Sequence, residues 1–240
     1  MMSESAITAW IAGAFSLLSV SVSVFISHFM QRKTLKHETE KIIEERSIIN
    51  FEHYEPLINA AYELQSRIYN IKCNNFTHYL MNGTERDKEY FIYSTAYIFI
   101  QYFAYSELFL SNIKNTFFFQ DEKINKITLI QDDITRLFSS DNHTLEKEFR
   151  IFSVEKRSLG FYLIIERKYI LQYNDFIEKF KSSPIDLVNY LIDDVQSLQY
   201  FDRAPLVRLT RIQHKLVELI NSVDPKCRRF PEGIRRKIPI

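Results

Sequence analysis

The residues whose types and spacing could support chemistry lie together after Pro205, near the end of this 240-residue chain. Arg208, Arg211 and His214 follow one another at intervals of three, so successive members would lie close together on a helix. An imidazole can act as an acid and a base near neutral pH. The pattern therefore permits proton transfer by His214, while the plainer interpretation is a basic helix face with one ordinary histidine.

The spacing of Arg208 and His214 resembles the R-x4–6-H motif of the HEPN ribonucleases, which are also small helical domains. The resemblance implies that the arginine and the histidine of two protomers meet, and that the imidazole does acid–base work on RNA. Some membrane-anchored proteins with such a motif form oligomeric pores. Leu209 stands where that family favours a polar residue. The alternative function that follows is a ribonuclease or a pore-forming defence effector.

Other catalytic and metal-binding patterns do not occur in the sequence. The six histidines are scattered, no H-E-x-x-H is present and the two cysteines are not paired, so we expect no metal and no cofactor. The four glycines stand alone and form no phosphate-cradling loop. Adjacent helical residues point about 100° apart. We therefore expect the carboxylate pairs to lie on solvated faces or caps: Asp132 with Asp133, and Asp193 with Asp194.

The elements that must position these residues are predicted to be helices. Glycine and proline supply only 4% of the chain, where average usage gives roughly 12%, which disfavours a many-stranded sandwich or barrel. Hydrophobic residues at 46% and charged residues at 25% are typical of a chain that folds. The net charge of +1 excludes a bulk attraction to nucleic acid. We predict an all-α fold.

Residues 7–30 contain no Asp, Glu, Lys or Arg, and as a helix they would be about 36 Å long. That length crosses a hydrocarbon core of about 30 Å. The preceding residues 1–6 lack the positive charge of a secretory signal peptide, and the apolar stretch is too long for one. We predict a retained transmembrane helix, and the alternative is a buried or surface-lying helix because five serines dilute the segment.

The charged flank of this span predicts its orientation. Basic residues follow the span immediately, from Arg32 to Lys41, while none precedes it. The positive-inside rule then places residues 1–6 outside and the rest of the chain in the cytoplasm, which indicates a bacterial inner membrane. Residues 31–54 are strongly charged and predict a membrane-proximal stalk helix. Both cysteines are expected to be reduced there.

Small residues recur along one face of the predicted span. Such faces let transmembrane helices approach closely, and serines on them can hydrogen-bond across the interface. The plainer explanation is the serine- and alanine-rich composition of the segment. We predict a homo-oligomer that packs through Ala9, Gly13, Ser16, Ser23 and Ser27.

A cytoplasmic helical domain is predicted over residues 55–224 from apolar periodicity and turn residues. Its predicted helices cover residues 56–81, 86–119, 121–138 and 145–181, the last bent near Gly160, and two more begin at Pro184 and Pro205.

Residues 91–110 within that domain could also be a second membrane span, because Glu107 is their only charged residue. An acidic residue in mid-span costs about 2.5–3.5 kcal/mol, and tyrosines belong at the two ends of a span rather than spaced evenly along it. We predict a buried core helix.

Residues 225–240 form a basic tail with a net charge of +5, from six basic residues and Glu232. Near a cytoplasmic leaflet each basic residue adds about 1 kcal/mol of attraction to anionic lipid. Nucleic acid would be attracted by the same charges, but a membrane anchor favours lipid or an intramolecular acidic face. The predicted lipid- or anion-binding residues are Arg228, Arg229, Arg235, Arg236 and Lys237.

Several strings between residues 60 and 240 resemble a bacterial family of single-span, membrane-anchored helical proteins with no assigned activity. They are residues 64–71, 149–152, 159–160, 212–217 and 229–231. Phe161 stands where an acidic residue is expected in that family. The resemblance implies the same architecture. We predict a membrane-anchored, non-catalytic helical protein that assembles with itself or binds a protein partner, and the alternative is a membrane-tethered HEPN-like ribonuclease.

Overall fold

The chain divides into two compact units, Met1–Glu52 and His53–Ile240. A computed structural model describes residue 27 and residues 30–34, 54–114, 122–142, 144–166, 169–200 and 206–239. The described residues of the first unit are helical and exposed, and the Thr34 hydroxyl donates a hydrogen bond to the Met30 carbonyl at 3.0 Å.

Most predictions for the first unit lie outside the described residues. The part of the chain that is not described includes nearly all of the predicted span 7–30 and most of the stalk 31–54. It also includes four members of the predicted oligomer face, Ala9, Gly13, Ser16 and Ser23. Ser27, the last member of that face, is helical and exposed. Across the part of the chain that is described, no helix combines the length and the apolar character needed to cross a bilayer.

The second unit is a helical bundle, which confirms the predicted all-α class. Apart from one short hairpin and two 3-10 turns, its regular structure within the described residues is helical. The helices are α1 at residues 54–73, α2 (His78–Asn82), α3 (Glu85–Lys114), α4 (Glu122–Ser139), α5 (Ser153–Leu163), α6 (Tyr173–Ser182), α7 (Asp186–Ser197) and α8 (Val207–Val223).

Helix α3 is the centre of the bundle and packs against α2, α5, α6 and α7. Its middle turns contain the predicted core helix 91–110, and Phe91, Phe99 and Phe103 are fully buried. The one charge of that stretch, Glu107, lies 3.5 Å from the Arg157 side chain and 4.0 Å from Lys156 Nζ. The aromatic residues therefore fill a protein core, and two cations of α5 compensate the single carboxylate.

Two predicted helices are wrong because the backbone turns inside them. The stretch 145–181 is not one bent helix: α5 and α6 are separated by the antiparallel hairpin of β1 (Ile164–Ile165) and β2 (Tyr169–Ile170), and Glu166 between them has a φ of 49°. The stretch 56–81 is interrupted after α1, where Asn75 has a φ of 52°. Asparagine tolerates this left-handed conformation better than most residues.

Helices α4 and α8 form the second main packing pair. Both place apolar residues every three or four positions, which is the spacing of one helix face. This pairing sets α8, the helix that carries Arg208 and His214, against the end of α4. The buried apolar residues of α4 are Ile124, Ile127, Ile130, Ile134 and Phe138, and those of α8 include Leu209, Ile212, Leu216, Leu219 and Ile220.

Candidate functional site

Arg208 is a buried structural residue, with 1% of its surface exposed. Its guanidinium carries five N–H donors, and five hydrogen bonds join it to backbone carbonyls. The acceptors are the carbonyl oxygens of Leu137, Phe138, Ser140 and, twice, Glu146. The first two belong to the last turn of α4, whose carbonyls have no partner within the helix. Arg208 therefore has no donor left for a ligand.

Glu146 completes this arrangement, which we call the Arg208 clasp, by closing the start of α8. Its carboxylate accepts the backbone N–H groups of Val207 and, at 2.9 Å, Arg208. A carboxylate is favoured at a helix N-terminus and a guanidinium at a C-terminus. Burial lowers the pKa of Arg208, while the Glu146 charge opposes this shift. The clasp joins the end of α4 to the beginning of α8.

His214 contacts a different part of the chain. It is half-buried, and its Nε2 atom lies 2.7 Å from the Ile238 carbonyl oxygen in the C-terminal segment. Arg208 faces the loop after α4, so the two residues of the predicted motif do not share a cleft within one chain. The predicted meeting of Arg208 and His214 between two copies remains a prediction.

The C-terminal segment, residues 225–239, is folded back onto the bundle around Asp224. The Asp224 carboxylate accepts the backbone N–H groups of Arg228, Arg229 and Phe230, and it pairs with the Arg235 guanidinium. Desolvation alone would raise the pKa of Asp224, but these three N–H donors and Arg235 lower it to about 2. Asp224 is therefore a charged anchor for the segment.

Two buried glutamines hold the backbone of the segment further along. Gln213 Nε2 donates to Gln65 Oε1 at 3.1 Å and to the Arg236 carbonyl at 2.8 Å. Gln213 Oε1 accepts the Ile238 N–H at 3.2 Å, and Gln65 Nε2 donates to the Ile234 carbonyl at 3.0 Å. Because Gln213 lies on α8 and Gln65 on α1, the segment is bound by both helices.

This docking divides the predicted lipid- or anion-binding residues into two groups. Arg235 points inward and is 6% exposed, where it also donates to Asn221 Oδ1 and the Asp224 carbonyl. Arg229 is exposed and pairs with Glu55 on α1. The exposed cations of the segment, which we call the basic rim, are Lys226, Arg228, Arg229, Arg236 and Lys237.

The sequence predicts that the carboxylate pairs lie on solvated faces or cap helices. For Asp194 this prediction is wrong. It is half-buried, and its Oδ2 atom accepts the N–H of Phe149 at 2.8 Å, where the backbone has a φ of 56°. Burial raises the pKa of Asp194 to about 6. Asp132 and Asp193 are exposed, as predicted. Asp133 is half-buried and pairs with Arg136 and Lys215.

Glu146, Gln65, Gln213 and Asp224 were not among the predicted site residues. Only Gln213 left a signal in the sequence, because an amide at an apolar helical position between Leu209 and Leu216 implies a buried polar contact.

Within the described ranges, no group of three or more His, Cys, Asp or Glu could hold a metal ion. No protein-family model, curated protein or solved structure matches the chain.

Proposed function

We propose that this chain is a membrane-anchored, non-catalytic helical protein of a bacterial inner membrane that assembles with copies of itself or with a protein partner. Its cytoplasmic unit contacts anionic lipid through the basic rim. The observation that carries the lipid contact is the outward display of five cations by a segment whose backbone is clamped to α1 and α8. Ordered cations bind anionic headgroups without first losing the conformational entropy of a free tail.

Vesicle binding by residues 53–240 tests the lipid contact, because those residues form a compact unit. We expect binding to phosphatidylglycerol vesicles and not to phosphatidylcholine, with a strong decrease as salt is added. Replacing Arg228, Arg236 and Lys237 together by Gln should remove about 3 kcal/mol of attraction. The matched control replaces Arg86, Lys126 and Lys181, three exposed cations elsewhere on the unit, by Gln. Equal binding by the two triple variants, both shown folded by circular dichroism, would contradict the proposal.

The anchor and the assembly have their own test in membranes. A reporter fused after residue 240 should behave as cytoplasmic, because basic residues follow the span. Gly13→Leu combined with Ser16→Leu should reduce crosslinking between copies by blocking close helix approach, while Val24→Leu on the bulkier side should not. Unchanged crosslinking in the double variant would exclude this face as the contact.

The ribonuclease alternative depends on Arg208 and His214. It would require Arg208 to give up hydrogen bonds to carbonyl oxygens that now occupy all five of its donors. We therefore favour the non-catalytic function, and the His214 variant described below tests the alternative directly.

A further inference from the structure

A cleft of about 310 Å³ lies between the end of α4 and the first turns of α8. Its apolar lining comes from Leu137 and Leu145. Its polar lining comes from Asp133, Arg136, Ser140, Asn142, Arg211 and Lys215. Arg211 is the middle residue of the pattern formed by Arg208, Arg211 and His214. It lines this cleft, whereas Arg208 and His214 do not.

The cleft holds three cations against one carboxylate. Asp133 pairs with Arg136 on its own helix and with Lys215 Nζ at 2.9 Å across from α8. Lys215 also pairs at 3.0 Å with Glu218, which does not line the cleft. Arg211 lies one helical turn before Lys215, is exposed, and has no ion pair with any described residue. Because like charges at this spacing repel each other, the Arg211 and Lys215 cations repel. A bound anion between them would reduce that repulsion.

The neutral groups of the cleft also have donors to offer. Asn142 Oδ1 accepts the N–H and the hydroxyl of Thr144, both at 2.9 Å, which leaves the Asn142 amide nitrogen as a donor. Ser140 Oγ accepts the Asn142 N–H at 3.2 Å, which leaves its O–H as a donor. The carbonyl oxygens of Leu137 and Ser140, two of the lining residues, each accept a hydrogen bond from Arg208.

We propose that this cleft is a binding site for the phosphate group of a small phosphate ester. Arg136, Arg211 and Lys215 supply charge-assisted N–H donors, and Ser140 and Asn142 supply neutral ones. A phosphate has several acceptor oxygens, and the planar guanidinium fork matches two of them at once. The volume is at the lower end of ligand pockets, which suits a phosphate with a small ester group. The site is independent of the lipid contact proposed for the basic rim.

Calorimetric titration of the full-length protein in detergent tests this site with inorganic phosphate, pyrophosphate and glycerol 3-phosphate as probes. We expect saturable binding of at least one probe and a loss of about tenfold or more in affinity for Arg211→Gln, since a hydrogen bond to a charged group is removed. Arg136→Gln provides a second variant from the other wall. Arg86→Gln, an exposed arginine of α3, is the matched control and should bind like the unchanged protein.

The source of the phosphate is distinguished by reconstituting the same proteins in nanodiscs of phosphatidylglycerol or phosphatidylcholine. Binding of a soluble probe that Arg211→Gln weakens supports a soluble phosphate ester, whereas a response to phosphatidylglycerol alone that Arg211→Gln removes supports a lipid phosphate. The triple Gln variant of Arg228, Arg236 and Lys237 should keep probe binding, which separates this site from the basic rim. The proposal would be overturned if no soluble probe bound saturably and phosphatidylglycerol also gave no response, or if the unchanged protein and both cleft variants bound equally.

Discussion

The two ends of α8 are held by arginines with different kinds of partner. At the first end, the Arg208 guanidinium binds only backbone carbonyls, and the nearby Glu146 carboxylate binds only backbone N–H groups. At the second end, Arg235 pairs directly with the Asp224 carboxylate. The first arrangement joins two helices, while the second fixes a segment that carries exposed cations.

This difference shows why positive charge near a helix end does not by itself indicate a binding site. Arg208 and Arg235 are both buried, and their charges are used within the fold. The cations available to a ligand are their neighbours, Arg211 beside the Arg208 clasp and Arg236 beside Arg235. A guanidinium whose donors are all occupied stabilises the fold, and one with free donors can bind an anion.

The largest effect should come from removing the guanidinium of the Arg208 clasp. Arg208→Gln leaves several buried carbonyl oxygens without their hydrogen-bond donor, so we expect a loss of about 3–5 kcal/mol in the free energy of unfolding. Urea denaturation of residues 53–240 measures this loss. Arg211→Gln, one turn along α8 and exposed, is the control and should cost within about 0.5 kcal/mol. Similar losses for the two variants would contradict the structural difference between them.

A smaller and more local effect should follow from changing Asp224. Asp224→Asn weakens the contact with Arg235 and some of the three N–H bonds, so we expect a loss of about 2 kcal/mol. Hydrogen exchange should rise in residues 225–239 and stay unchanged in the loop that follows α4. A global increase in exchange would show that the segment is not a separate docking unit.

The pH dependence of the docked segment follows from the same carboxylate. Its pKa, about 2, lies below the ordinary value of 3.8, so the stabilisation is present above pH 4 and is lost as the pH falls toward 2. Asp224→Asn should abolish this change in the exchange of residues 225–239. A transition between pH 5 and 7 instead would point to another group.

Asp194 should give an effect of the opposite sign. Its pKa is about 6 and its ordinary value 3.8, so the fold favours the protonated form, and stability falls as the pH rises from 4 through 6. Asp194→Asn keeps an acceptor for the Phe149 N–H without the desolvated charge. We expect it to stabilise the protein by about 1–2 kcal/mol at pH 7, after allowing for partial solvent exposure, with no gain below pH 4. Thermal unfolding at both pH values measures the difference.

The sequence predicted the helical class because its strongest signals are local. The apolar spacing of α4 and α8 and the long aromatic stretch of α3 mark helix faces directly. The hairpin of β1 and β2 was missed because two-residue strands are too short to show alternation.

The partners of the site residues could not be predicted, since they are distant in the chain. Glu146 lies 62 residues from Arg208, and Gln65 lies 148 residues from Gln213. A spacing of three specifies which side chains are neighbours on one helix, but not which other segment covers them. That is why Arg208 was expected on a basic face and is instead enclosed by the end of α4.

The smallest structural effect should come from His214, and this variant decides between the two functional classes. His214→Ala removes one hydrogen bond at a half-buried site, with the Ile238 carbonyl, so we expect under about 1 kcal/mol of destabilisation and little change in the exchange of the docked segment. A catalytic imidazole would contribute roughly 10²–10⁴-fold to a rate. The measurement is RNA cleavage by the purified full-length protein and by its His214→Ala variant. Arg211→Gln is the control that shows the effect of lost RNA binding alone. Cleavage that His214→Ala abolishes while stability is unchanged would favour the ribonuclease over the non-catalytic assembly. Because Arg208 has no free donor, we expect no cleavage with either protein.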